Sequence, residues 1–98
     1  MKIKLVGCNF NPASKKCTKN EVVRLVREPN NEFDKEAIAV LNSLGERRGY
    51  VGTDKTVSLG NRNNGCIDNH QLGNIMGVEA RGIITKFKGY FGFVEVDL

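Results

Sequence analysis

The residues of this chain best suited to recognition chemistry sit in one short stretch, REPNNEFDKEA, residues 27–37. Asn31 brings an amide that both donates and accepts, Phe33 a flat apolar ring, and Asp34 an acceptor-only carboxylate. A ring beside an amide and a carboxylate can hold a nucleoside by stacking and hydrogen bonding. The same residues also make a plain corner of the chain. Asp34 caps a single helical turn if it accepts from the amides of Lys35 to Ala37. Asn30 and Asn31 are common turn residues, and Phe33 can tuck into the core. Both readings stand on sequence. Pro29 ends the preceding apolar run, since proline has no amide to give a ladder.

Other chemistry is sparse. The cysteines are Cys8, Cys17 and Cys66, with a single histidine, His70. Cys66-x3-His70 with the other two thiols would complete a Cys3His zinc set, but no C-x2-C pair is present. Free thiols and no metal or cofactor are the expectation. No nucleophile lies in a recognisable motif, and GYVG and GNRNNG lack the Lys-Ser/Thr ending of a phosphate-binding loop. The chain reads as a non-enzyme.

Charge points to a polyanion. The net charge is +4, and the excess is uneven. Lys2, Lys4, Lys15, Lys16, Lys19 and Arg24 face only Glu21 near the start; Arg47, Arg48, Lys55 and Arg62 face Glu46 and Asp54 in the middle. Between them Glu28, Glu32, Asp34 and Glu36 form an acidic knot. Such asymmetry suits nucleic acid. Arg47-Arg48 reads as a solvated strand end or a phosphate contact. No apolar run approaches the ~20 residues of a membrane span. Lys2 and Lys4 interrupt the one candidate for a secretory core, and the odd cysteine count does not suit a secreted disulfide framework. A cytoplasmic protein is expected.

The elements that must position these residues are mostly strands. Residues 1–98 are enough for one domain and too few for two. KIKLVGCNF alternates cation and apolar residue through Leu5. Phe10, at its end, is either core or a stacking platform. In EVVRLVRE, Val23 and Leu25 share one face, Val22 and Val26 the other. AIAVLN is a third strand, and SLGE turns it into RRGYVG. Residues 53–65 show no apolar periodicity. IDNHQLGNIM suggests a short helix spaced by Ile67, Leu72 and Ile75 and capped by Asp68. GVEARGIITKF puts Val78, Ala80 and Ile84 on one face, Lys88-Gly89 signals a hairpin, and YFGFVEVDL closes the chain. Among Phe87, Tyr90, Phe91 and Phe93, at least half are expected in the core. The pattern predicts a mainly β fold, a small six-stranded OB-like barrel with one or two short helices.

VREPNNEFDKEAIAV followed by Gly49-Tyr50-Val51 resembles the HIRAN domain family. There a strand ends in Arg-x-Pro-Asn-Asn, an aromatic-Asp pair follows, then an Ala-Ile-x-Val strand and a Gly-aromatic or Gly-His turn. Val6-Gly7 with Phe10 fits the family's first strand, and the resemblance covers residues 5 to about 52. It implies an OB-like barrel that captures the 3′ end of single-stranded DNA without catalysis, as in fork-remodelling and repair proteins. By position, Phe10 and Phe33 match aromatics that contact terminal bases, Asn31 and Asp34 match polar groups near the terminal sugar, and Tyr50 lies on the pocket wall. Lys15 and Arg48 are candidate phosphate contacts. DNA-binding members carry Arg-Tyr-Tyr where this chain has Asn9-Phe10-Asn11, so one cation and one ring are lost. The alternative is a protein-interaction or structural module on the same scaffold. A monomer is favoured, with a helicase or nuclease as the kind of protein partner the resemblance implies.

Overall fold

In the computed structural model, which describes residues 1–7, 19–53, 66–88 and 91–98, seven strands and one helix follow in order. They are β1 (Lys2–Val6), β2 (Val22–Arg27), β3 (Ile38–Leu41), β4 (Arg47–Val51), β5 (Cys66–Ile67), α1 (Asn69–Gly73), β6 (Glu79–Lys88) and β7 (Phe91–Asp97). Hydrogen bonding runs β4-β3-β2-β6-β7-β1, and a β1–β4 pairing closes the ring into a six-stranded barrel. β5 adds a short parallel step to β1. One edge of β1 serves both neighbours because each takes a different half. Lys2 and Ile3 face β5, whereas Leu5 and Val6 face Val51 and Tyr50 of β4. Closure removes the unpaired edges that a flat sheet of this size would expose.

The period-two pattern decides what lies inside. Ile3 and Leu5 of β1, Val23 and Leu25 of β2, Ile84 of β6 and Val94 of β7 are fully buried in one cluster. Each such aliphatic contributes about 1.5–3 kcal/mol by leaving water. Leu72 of α1 and Met76 just beyond it complete the cluster, so the helix seals the barrel. Asp68 accepts from the Gln71 amide at 2.8 Å, and the Gln71 side chain accepts from the Asp68 amide at 3.0 Å. This capping box fixes where the helix begins. At its other end the Arg27 guanidinium donates to the carbonyls of Gly73, Met76 and Gly77 at 2.6–3.0 Å, tying the helix to β2. The β3–β4 turn is held by Asn42, whose side-chain oxygen accepts from the Leu44 and Glu46 amides, with Gly45 at φ +81°.

One expectation about the core is corrected. Val78 precedes β6 and is 85% exposed, while Ala80 and Ile84 are buried as the alternation predicts. Of the aromatics described, only Phe87 packs against the core; Phe91 and Phe93 lie on the outer face of β7, whose inward positions are Gly92, Val94 and Val96. Tyr90 lies outside the described residues.

Candidate nucleic-acid interface

The connection between β2 and β3, residues 28–37, is pinched at its base by the Glu28 amide donating to the Ala37 carbonyl at 2.9 Å. Inside it two tight turns follow each other, closed by Asn31 N–H to Glu28 O at 3.0 Å and Ala37 N–H to Asp34 O at 3.1 Å. The Asn31 side chain organises the corner. Its oxygen accepts from the Phe33 and Asp34 amides at 2.9 and 3.1 Å, and its nitrogen donates to Glu28 Oε1 at 3.0 Å. Asp34 Oδ1 accepts from the Glu36 amide at 2.8 Å, the turn-capping role expected of it, though from that amide alone. Asp34 Oδ2 accepts from Asn69 Nδ2 at 2.9 Å. Each carboxylate oxygen has capacity to accept a further hydrogen bond.

Tyr50 stands opposite, on β4. Its hydroxyl donates to Glu28 Oε1 at 2.9 Å and accepts from Arg47 Nη1 at 2.5 Å, and the Arg47 guanidinium lies 5.1 Å from the ring centre. Burial pushes the phenol pKa up, Glu28 adds to the rise, and Arg47 opposes it. The phenol is thus held neutral, as a ring with a fixed hydroxyl. Between corner and tyrosine lies an open groove of about 530 Å³, lined by Asn31, Phe33, Asp34 and Tyr50 together with Val6, Thr53 and Asn69. Four sequence-predicted residues from two separate elements therefore share one concavity. The Phe33 ring is 94% exposed at its lip, which corrects the alternative that it packs in the core. Phe10 and Lys15 lie outside the described residues.

Arg48 is a second correction. Its guanidinium is buried and makes two parallel bonds to Glu21, at 2.8 and 2.7 Å. Pairing of β3 with β4 passes from Val40↔Gly49 to Leu41↔Arg47, so Arg48 is the extra residue of a bulge. A bulge re-aims the side chain it inserts, and here it points inward, away from any phosphate.

Asn69 is the residue sequence reading missed. It is buried, donates from its backbone amide to the Gly52 carbonyl at 3.0 Å, and donates from Nδ2 to both Asp34 Oδ2 and the Glu36 carbonyl. It thereby bolts the corner to the first turn of α1. The Asp68–Gln71 capping pair was the available signal, since it places residue 69 at the helix mouth. Next to it, His70 Nδ1 bonds Glu36 Oε2. Cys66 is buried in β5 and its thiol pKa is pushed up by that burial. Among the described residues no three His, Cys, Asp or Glu side chains are placed to hold a metal, and no helix is long and apolar enough to cross a membrane.

The groove's charge is the reverse of the chain's. Glu28, Glu32 and Asp34 line it against Arg47, and Arg47 already pairs with Glu28 at 3.8 Å. Such a lining repels phosphate and accepts hydroxyl donors.

Comparison with known proteins agrees with this architecture. The HIRAN domain family model matches residues 1–75. Helicase-like transcription factor of Oryctolagus cuniculus is 38% identical over 68 residues, which is 69% of this chain and 6% of that protein's length. The crystal structure of the HIRAN domain of human HLTF superposes with a TM-score of 0.67 at 22% identity, covering 98% of this chain and 71% of that one. With the family model spanning most of its length, and with the Asn31-Phe33-Asp34 corner built into a groove, this chain belongs to the HIRAN domain family.

Proposed function

We propose that this domain is a non-catalytic module that binds the 3′-hydroxyl end of single-stranded DNA in the groove between the β2–β3 corner and Tyr50. The observation that carries this reading is the groove's lining: an exposed ring, an amide and a carboxylate beside two further acids. A terminal 3′-hydroxyl of deoxyribose donates to Asp34, which repels the same end when it carries a phosphate. The Phe33 face offers about 1–3 kcal/mol of stacking without regard to base identity. Asn31 fixes the Asp34 backbone through its amide and Asn69 holds its carboxylate, so ordering it is already done before the strand arrives. Membership of a family of DNA-binding modules supports the ligand class.

Competition binding tests it. Oligo-dT ending in a 3′-hydroxyl should displace a labelled strand more readily than the same oligonucleotide ending in a 3′-phosphate, and Asp34→Asn should shrink that preference. Equal displacement by both ends, unchanged in the variant, would discard the end-reading role and favour a protein-interaction module on this scaffold.

A further inference from the structure

The acidic groove leaves a question of charge, because a single strand brings phosphates that need cations somewhere. On the outer face of β1, Val6 lines the groove, and Lys4 and Lys2 follow it at strand spacing, each step about 7 Å. β7 runs beside them, with Lys4 directly opposite Phe93. Lys4 Nζ lies 5.2 Å from the Phe91 ring centre and Lys2 Nζ lies 5.5 Å from that of Phe93. The two rings meet edge to face at 6.0 Å. On the other side of β7, pairing passes from Ile84↔Val94 to Lys86↔Phe93, which makes Thr85 the extra residue of a bulge. That bulge turns Lys86 outward to flank Phe93 as Lys4 does, and returns Phe87 to the core side. Phe93 therefore sits among three lysines, partly exposed, on a face continuous with the groove.

We propose that this face of β1, β6 and β7, centred on Phe93 and ringed by Lys2, Lys4 and Lys86, is a second, sequence-tolerant site for single-stranded nucleic acid. It rests on the reading that the groove holds a strand end, and it takes the nucleotides immediately 5′ of that end. A base stacks on the Phe93 ring, and the lysine ammonium groups move from ring to phosphate. Phe91 buttresses the platform on its groove side. The ring–cation contacts in the free protein hold the lysines beside the platform, so both parts of a nucleotide find their partner at once. Glu95, paired with the chain's first amino group, marks the far end of the strip.

The test is fluorescence anisotropy of the whole chain with a dT dinucleotide and a dT octanucleotide, each with 3′-hydroxyl and 3′-phosphate ends. Phe93→Ala should weaken octanucleotide binding roughly tenfold, within the range for one stacked base, and leave the dinucleotide unchanged. Lys2→Gln with Lys4→Gln, which spares the ring should Phe93→Ala fold poorly, should flatten the octanucleotide salt slope by about 1.4, from ~0.7 per contact. Wild-type affinity and slope in both variants would overturn the proposal. Loss of octanucleotide binding in these variants, with no preference between hydroxyl and phosphate in the wild type, would uphold this face while rejecting the end-reading groove.

Discussion

Arg48→Met separates a structural cation from a ligand-binding one. The wild-type guanidinium is 3% exposed and holds Glu21 through two bonds at 2.7 and 2.8 Å. Methionine retains much of the volume but leaves the Glu21 carboxylate, itself mostly shielded, without its partner. Breaking a buried pair from one side typically loses 3–5 kcal/mol; because Glu21 keeps some solvent contact, about 2–4 kcal/mol is expected here. In a domain of this size each kcal/mol moves the melting temperature by about 4–8 °C, so a fall of roughly 8–32 °C should follow. Thermal and urea unfolding followed by circular dichroism measure the temperature shift and the free-energy loss. DNA affinity of the folded fraction and its salt slope should stay at wild-type values. Unchanged stability with a salt slope reduced by about 0.7 would refute the reasoning and make Arg48 a phosphate contact.

Three further outcomes are expected. Gly92→Ala would place a Cβ 2.6 Å from the Lys86 carbonyl and 2.9 Å from Phe87 Cδ2, so it should destabilise by about 1–3 kcal/mol, whereas Gly77→Ala, with open space around it, should not; equal effects in denaturant titrations would contradict the packing of β6 on β7. Tyr50→Phe keeps the ring but removes the hydroxyl that links Glu28 to Arg47, and should lose about 1 kcal/mol while leaving the groove's amide spectrum in place; collapse of the corner resonances would show that the hydroxyl, not Asn31, holds it. The hydrogen bond to Glu36, and then its charge, raise the His70 pKa above the usual value. That stabilisation is complete below the unfolded pKa of about 6.5 and vanishes as pH rises through the higher folded one. The melting difference between wild type and His70→Gln should therefore be larger at about pH 5.5 than at about pH 8.5; a pH-independent difference would show that the pair does not form.

Legibility from sequence followed the range of the interactions involved. Strand alternation put Val23 with Leu25, and Ala80 with Ile84, on shared faces because period two is local, and these are the buried faces. The corner was readable from Pro29, Asn31 and Asp34, since turn chemistry is also local. Arg48 was not, because its inward aim comes from a bulge and its partner lies 27 residues away. The outward aim of Phe91 and Phe93 was not legible for a related reason. Aromatic residues alternating with Gly92 and Val94 could face either way, and only closure against β1 puts the smaller residues inside. Asn69 carried no signal of its own; its meaning comes from Asp34, on the far side of the chain's long middle segment.

Amide NMR of the labelled domain at low salt, titrated with short oligo-dT bearing a 3′-hydroxyl or a 3′-phosphate, addresses the end-reading groove most directly. Saturable shifts at Asn31, Phe33, Asp34, Tyr50 and Asn69 with the hydroxyl end, and their absence with the phosphate end, are the predicted result. Identical shifts with both ends, or shifts confined to the lysine-rich strands, would contradict it.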